Sequence, residues 1–121
     1  IIVALIRQRL AGQIFENYKN EEDGKVYMIS LGEKEREINV VNSDGVFHIE
    51  MDMAWQQDFV ERLKKEKEVN RLASVDPIIL VRRPEVRPAL SRMLEAFEIE
   101  TPVVSVLEIP LNVDNEIVNV L

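Results

Sequence analysis

A chain of 121 residues, 46% of them hydrophobic, can bury roughly two thirds of the surface it exposes when unfolded, enough for one compact domain plus an appended element. It contains no cysteine, which removes disulfides and thiolate chemistry and fits a reducing compartment. With 22 acidic against 15 basic residues, a net charge of -7 and a sequence pI near 4.8, its mean field repels phosphate backbones and anionic lipid surfaces.

No apolar run nears the roughly twenty residues of a membrane span. Ile1 to Ile6 is cut short by Arg7, and no basic leader or cleavage site accompanies it, so this segment is expected to be soluble. Ile2, Leu5, Ile6, Leu10, Ile14 and Tyr18 fall at helical spacing and predict a helix over Ile1 to Lys19, stopped by the Asn20 to Gly24 cluster. The chain starts without Met and inside that helix, which points to a piece of a longer protein. Residues 1–22 are therefore expected to be a helix belonging to a preceding, largely absent subdomain, and residues 23–121 a C-terminal α/β subdomain.

Lys25 to Leu31, carrying Val26, Tyr27 and Ile29 behind the Asp23-Gly24 turn, is read as a strand. Glu33 to Val41 stays open: Lys34 to Glu37 favour helix, whereas Ile38 to Val41 fit a helix end or a strand. After an Asn42 to Gly45 turn, Val46 to Asp52 alternates, with Phe47, Ile49 and Met51 opposite His48, Glu50 and Asp52. Asp52 is a good N-cap for a helix from Met53 to about Leu72 that buries Trp55, Phe59, Val60 and Leu63 and turns a mixed-charge face to water.

Ile78 to Pro110 reads as strand, helix, strand. Ile78 to Val81 is near-continuously apolar, as suits a strand buried on both faces. Pro84 sits where a helix would begin, and Val86, Leu90, Met93, Leu94 and Phe97 recur at intervals of three and four. Pro88 removes a donor and restricts Arg87, which predicts a distorted first turn or regularity only after Arg87. Val103 to Ile109 is a second branched run. The fold class expected is mixed α/β, with the N-terminal helix packed on a small sheet containing a parallel β-α-β unit (strand 78–82, helix 84–97, strand 103–109) and helices covering it. A last short strand is expected over Glu116 to Val120.

The residues needed for chemistry are sparse. His48 is the only histidine, which rules out a two-histidine metal site and leaves it a rim residue on its strand. The four glycines are scattered and make no phosphate-cradling loop. Glu33, Glu35 and Glu37, like Glu61, Glu66 and Glu68, alternate with Lys and Arg and read as solvated faces. No catalytic, cofactor-binding or metal-binding residues emerge, and no cofactor is expected. Arg83, Glu85, Arg87 and Glu108 are the exception. They gather at the carboxyl ends of two adjacent parallel strands, the edge where open α/β sheets most often bind partners. They serve either to fix the motif, with Glu85 at the helix start and Arg87 paired to Glu108, or as a protein-contact patch.

Three stretches resemble a known family: Arg83-Pro84-Glu85-Val86-Arg87-Pro88, Leu94-Glu95-Ala96-Phe97, and Pro102 to Pro110 (Pro-Val-Val-Ser-Val-Leu-Glu-Ile-Pro). Their order and spacing are similar to the C-terminal signature of the FlhA-like export-gate family of flagellar and virulence type III secretion, and residues 5–15 resemble that family's Arg-Gln-Ile helix. Where the family usually has Leu-Asp-Pro followed by a helix carrying a Glu, this sequence has Leu31-Gly32-Glu33. The resemblance implies a non-enzymatic scaffold and docking module, the C-terminal part of the cytoplasmic portion of an export gate at the bacterial inner membrane. It implies assembly with neighbouring copies into a ring, docking of export chaperones with cargo and of the export ATPase complex, and a membrane link only through an absent N-terminal region. The flagellar branch is preferred because its members are the more widespread. The other reading is a stand-alone small α/β domain, ligand-binding or enzymatic, with an apolar pocket and perturbed titratable groups at the strand ends.

Overall fold

The computed structural model describes residues 15–121, and the helix expected over Ile1 to Lys19 lies largely outside them. The elements run β1 (Val26–Ser30), a 3-10 turn (Gly32–Glu37), β2 (Val40–Ser43), β3 (Val46–Ile49), α1 (Met53–Leu72), β4 (Ile78–Val81), α2 (Val86–Ala96), β5 (Val103–Ser105), a second 3-10 turn (Val106–Glu108) and β6 (Asn115–Val120). Four strands form one sheet in the order β5-β4-β1-β6, and every pairing in it is parallel. The mixed α/β class and the parallel β4-α2-β5 unit are thus present. β2 and β3 make a separate antiparallel hairpin.

Burial on both sides explains the apolar run of β4, all four of whose residues are buried. Ile79 and Val81 face one way, into a core with Ile29, Phe59, Val60, Leu63, Val86, Leu90 and Leu94, so α1 and α2 both cover that face. Ile78 and Leu80 face the other way, beside Phe15, Val26, Met28, Val104 and Val113. The connection from β5 to β6 supplies Val113 and Ile109 to this second layer. A strand whose alternate residues meet two apolar layers has no polar side to show.

Local chemistry sets most of the element ends. The Asp52 carboxylate accepts from the Trp55 N–H at 2.8 Å, capping α1 where expected. Trp55 stacks on Phe59 at 5.4 Å while remaining only half buried. The Glu33 to Val41 stretch resolves into both alternatives at once, a 3-10 turn and then a strand. Asp44 and Gly45, with φ of 52° and 82°, make a two-residue turn that pairs Ser43 with Val46, so the turn is tighter than Asn42 to Gly45.

The β4-α2-β5 unit differs from expectation at its edges. Pro84 and Glu85 lie in a turn closed by the Val86 N–H on the Arg83 carbonyl at 3.0 Å, and α2 starts at Val86. Pro88 is then the third helical residue, within the first turn where no intrahelical partner for its missing N–H exists. β5 stops at Ser105, short of Ile109. There the Ser105 hydroxyl accepts from the Leu107 N–H at 3.1 Å, the Glu108 carboxylate accepts from the Ser105 N–H at 3.1 Å, and the chain turns into 3-10 geometry.

Candidate contact site at the strand ends

Arg83, Glu85, Arg87 and Glu108 fall into two groups. The first is centred on Glu35, which the charge pattern had assigned to a solvated face. It is instead 5% exposed. The 3-10 turn after β1 brings its carboxylate over the end of β4, where it accepts from the Arg82 N–H at 2.9 Å and from the Arg83 N–H at 2.6 Å. These are donors the strand ladder leaves open as the chain exits the sheet. In return the Arg83 guanidinium donates to the carbonyls of Glu35 at 3.0 Å and Ile38 at 2.8 Å, closing the end of the same turn. A further Arg83 donor, Nε, reaches Glu85 Oε1 at 3.0 Å.

Glu85 is partly exposed, and its carboxyl is held below the usual carboxylate range, first by a hydrogen bond from its own backbone N–H, an effect that burial opposes and the Arg83 guanidinium reinforces. The second group joins α2 to the end of β5. Arg87 Nε lies 3.6 Å from Glu108 Oε1, with the Glu108 side chain 8% exposed. Glu108 also closes the capping box on Ser105, so a single carboxylate ties the helix, the strand end and the 3-10 turn together. Sequence reasoning placed all four residues at one sheet edge but missed Glu35 and the capping role of Glu108. The Ser105-x-x-Glu108 spacing was the available signal for the second. Nothing in the charge pattern of residues 33–37 marked the first.

Between β1 and its two neighbours the strand order reverses, the place where open α/β sheets usually keep a ligand crevice. Here the Val120 side chain, itself half exposed, lies against Gly32: a Cβ added to Gly32 would lie 2.4 Å from Val120 Cγ1. Among the described residues, clefts open at the opposite end, where strands begin. One of about 520 Å³ is lined by Ser91, Glu95, Glu98 and Thr101, and another of about 750 Å³ by Lys64, Lys67, Arg71, Asp76 and Glu100. His48 is exposed on β3, across the hairpin from Val41. Among the described residues, no group of three or more His, Cys, Asp or Glu could hold a metal ion, and no helix is long and apolar enough to cross a membrane.

Among the described residues the protein is a small parallel sheet with α1 and α2 on one face, closed at its carboxyl edge by the Pro-Glu-Val-Arg-Pro and Leu-Glu-Ile-Pro motifs. The FHIPEP family model matches residues 1–114, and the chain belongs to that family, the export-gate family its motifs resemble. No curated protein matches by sequence. Among solved structures, the nonameric SctV-C of EPEC superposes with a TM-score of 0.76 at 17% identity, over 96% of this chain and 35% of that one. The MxiA protein of Shigella flexneri gives a TM-score of 0.76 at 17% identity, over 98% of this chain and 37% of that one. At this identity the likeness concerns the fold. The chain spans about a third of the length of each.

Proposed function

We propose that this chain is the C-terminal part of the cytoplasmic portion of an export gate, a non-enzymatic scaffold and docking module of a type III protein export apparatus. The observation that carries this reading is the family match over residues 1–114. The superposition on SctV-C, whose structure is nonameric, supports assembly of the whole protein with copies of itself into a ring. On this reading export chaperones with their cargo and the export ATPase complex are its partners, and the membrane is reached through sequence preceding residue 1. Residues 1–22 then complete a preceding subdomain and residues 23–121 form the C-terminal one. We place the protein in the flagellar branch, on the motif shared by both branches and the wider occurrence of flagellar members.

Within this reading Arg83, Glu85, Arg87 and Glu108 stabilise the motif and do not contact partners, because the hydrogen bonds and ion pairs described above all join them to this chain's own backbone and carboxylates. Calorimetric titration with cargo-loaded flagellar chaperones and with the soluble ATPase-complex proteins tests the assignment. Binding by the whole cytoplasmic region and not by residues 1–121 is the expected result. Binding by residues 1–121 that is lost on Arg83→Ala or Arg87→Ala, with the fold intact, would overturn the structural assignment of the four residues. Normal flagellar protein secretion after deletion of the gene would overturn the flagellar reading.

A further inference from the structure

The two edges of the parallel sheet are treated differently. β5 is three residues long, follows Pro102, and ends in the Ser105 to Glu108 capping box. Short length and an abrupt end blunt an edge against further pairing. β6 is the longest strand, six residues without Pro or Lys, and among the described residues no strand pairs with its outer side. The Val26 N–H donates to the Asp114 carbonyl at 2.9 Å, and Val26 and Met28 lie opposite Asn115 and Ile117. By the alternation of a parallel ladder, the main-chain groups of Glu116 and Val118 point toward β1 while those of Asn115 and Ile117 point outward. The far end of the edge is covered, since the Val120 N–H donates to the Asn119 side chain at 2.8 Å. The open part is therefore its first half.

That half is also the acidic end of the sheet. Asp114 and Glu116 are exposed, as are Glu21, Glu22 and Asp23 in the turn before β1. Asp23 bonds the Tyr27 hydroxyl, and the charges of Asp23, Glu116 and Glu22 all act on it. Lys25, half buried in the same turn, offsets part of this charge. Glu116 and Ile117 project from opposite faces of the strand, so acidic and apolar contacts alternate along it.

We propose that the Asn115 to Ile117 half of the β6 edge takes an extended segment of a partner protein as a fifth strand, and that this segment alternates basic and apolar residues. Main-chain hydrogen bonds to the open edge hold it, its Lys or Arg side chains lie over Asp114, Glu116 and the Glu21 to Asp23 turn, and its apolar side chains meet Ile117. Charge selects a basic partner over a second copy, which would bring the same carboxylates and a further net charge of -7 to the contact.

The test uses the 121-residue chain and a labelled peptide of about ten residues alternating lysine and valine, against a control alternating lysine and proline, which has equal charge and fewer main-chain donors. Fluorescence anisotropy should give at least about tenfold tighter binding of the first peptide, with amide shifts in NMR spectra at Asn115 to Ile117 and slowed exchange of the Ile117 amide. Ile117→Pro removes one outward donor at a position where an edge strand tolerates proline, and should abolish the difference between the peptides. Glu116→Lys should weaken binding with the strand intact, and decides the matter if the proline variant fails to fold. Equal binding of both peptides, shifts confined to other surfaces, or self-association through β6 in place of peptide binding would overturn the proposal.

Discussion

Glu35 is a buried carboxylate whose two strand-end donors have no other acceptor in view, so its removal strands polar groups as well as a cap. Glu35→Ala should cost about 2–4 kcal/mol in urea unfolding, and Glu35→Gln, which keeps one acceptor oxygen, roughly half as much. Nothing in the alternation of Glu and Lys or Arg over residues 33–37 sets Glu35 apart from its neighbours, because what buries it is the end of β4, where Arg82 and Arg83 are 47 and 48 residues away. Charge patterning is a local signal, and this contact is not local. The pair Asp23 and Tyr27, by contrast, is four residues apart and lies within one turn and strand. Its hydrogen bond from the phenol to the carboxylate raises Tyr27 to about 12 and lowers Asp23. The Tyr27 contribution to stability is intact below the ordinary phenol value of 10.0 and is lost as pH rises through about 12. The Asp23 contribution is intact above the ordinary value of 3.8 and is lost as pH falls through its lowered one. Phenolate absorbance should therefore show Tyr27 ionising near 12, and Asp23→Asn should return it toward 10.0.

α1 and α2 end in the same way, with a residue other than glycine in the left-handed region: Ser74 at φ 60° and Glu98 at φ 59°. Around each, the next N–H reaches back to the helix, Val75 to the Asn70 carbonyl and Ile99 to the Leu94 carbonyl, both at 2.9 Å. Ser74→Gly and Glu98→Gly should each stabilise the chain by about 0.5–1 kcal/mol, measured as a raised urea midpoint at constant slope. Gly32, at φ 58°, is the opposite case, since a side chain there meets both a strained backbone and Val120. Gly32→Ala should cost about 2–3 kcal/mol, and Val120→Ala in the same chain should recover the steric part while leaving the backbone part. The element-scale reading from sequence succeeded where the physics is periodic. The apolar run of β4, the three-four spacing of α2 and the Asp52 cap of α1 each follow from neighbours within a few residues. It overran at β5, where branched residues continue to Ile109 but a two-residue capping box outweighs strand propensity.

For the molecule as a whole, a net charge of -7 with the ion pairs mostly at the surface means self-repulsion at low ionic strength. Raising salt from about 10 mM to about 150 mM, which shortens the screening length from roughly 30 Å to roughly 8 Å, should raise the unfolding midpoint. A fold dominated by surface ion pairs would move the other way. The sheet's strand order was beyond sequence reasoning because it depends on which distant runs meet, and periodicity reports only which runs exist. That order bears on how the chain is made. β1 is the first of the sheet's strands to be made, yet its neighbours come from residues 78–81 and 115–120. At about 5–20 residues per second, residues 31–77 occupy a ribosome for roughly 2–10 s before the first partner strand is even polymerised. Throughout that interval a strand destined for the centre of the sheet is nascent, apolar and unpaired, so the period of greatest exposure to misassembly falls during translation itself.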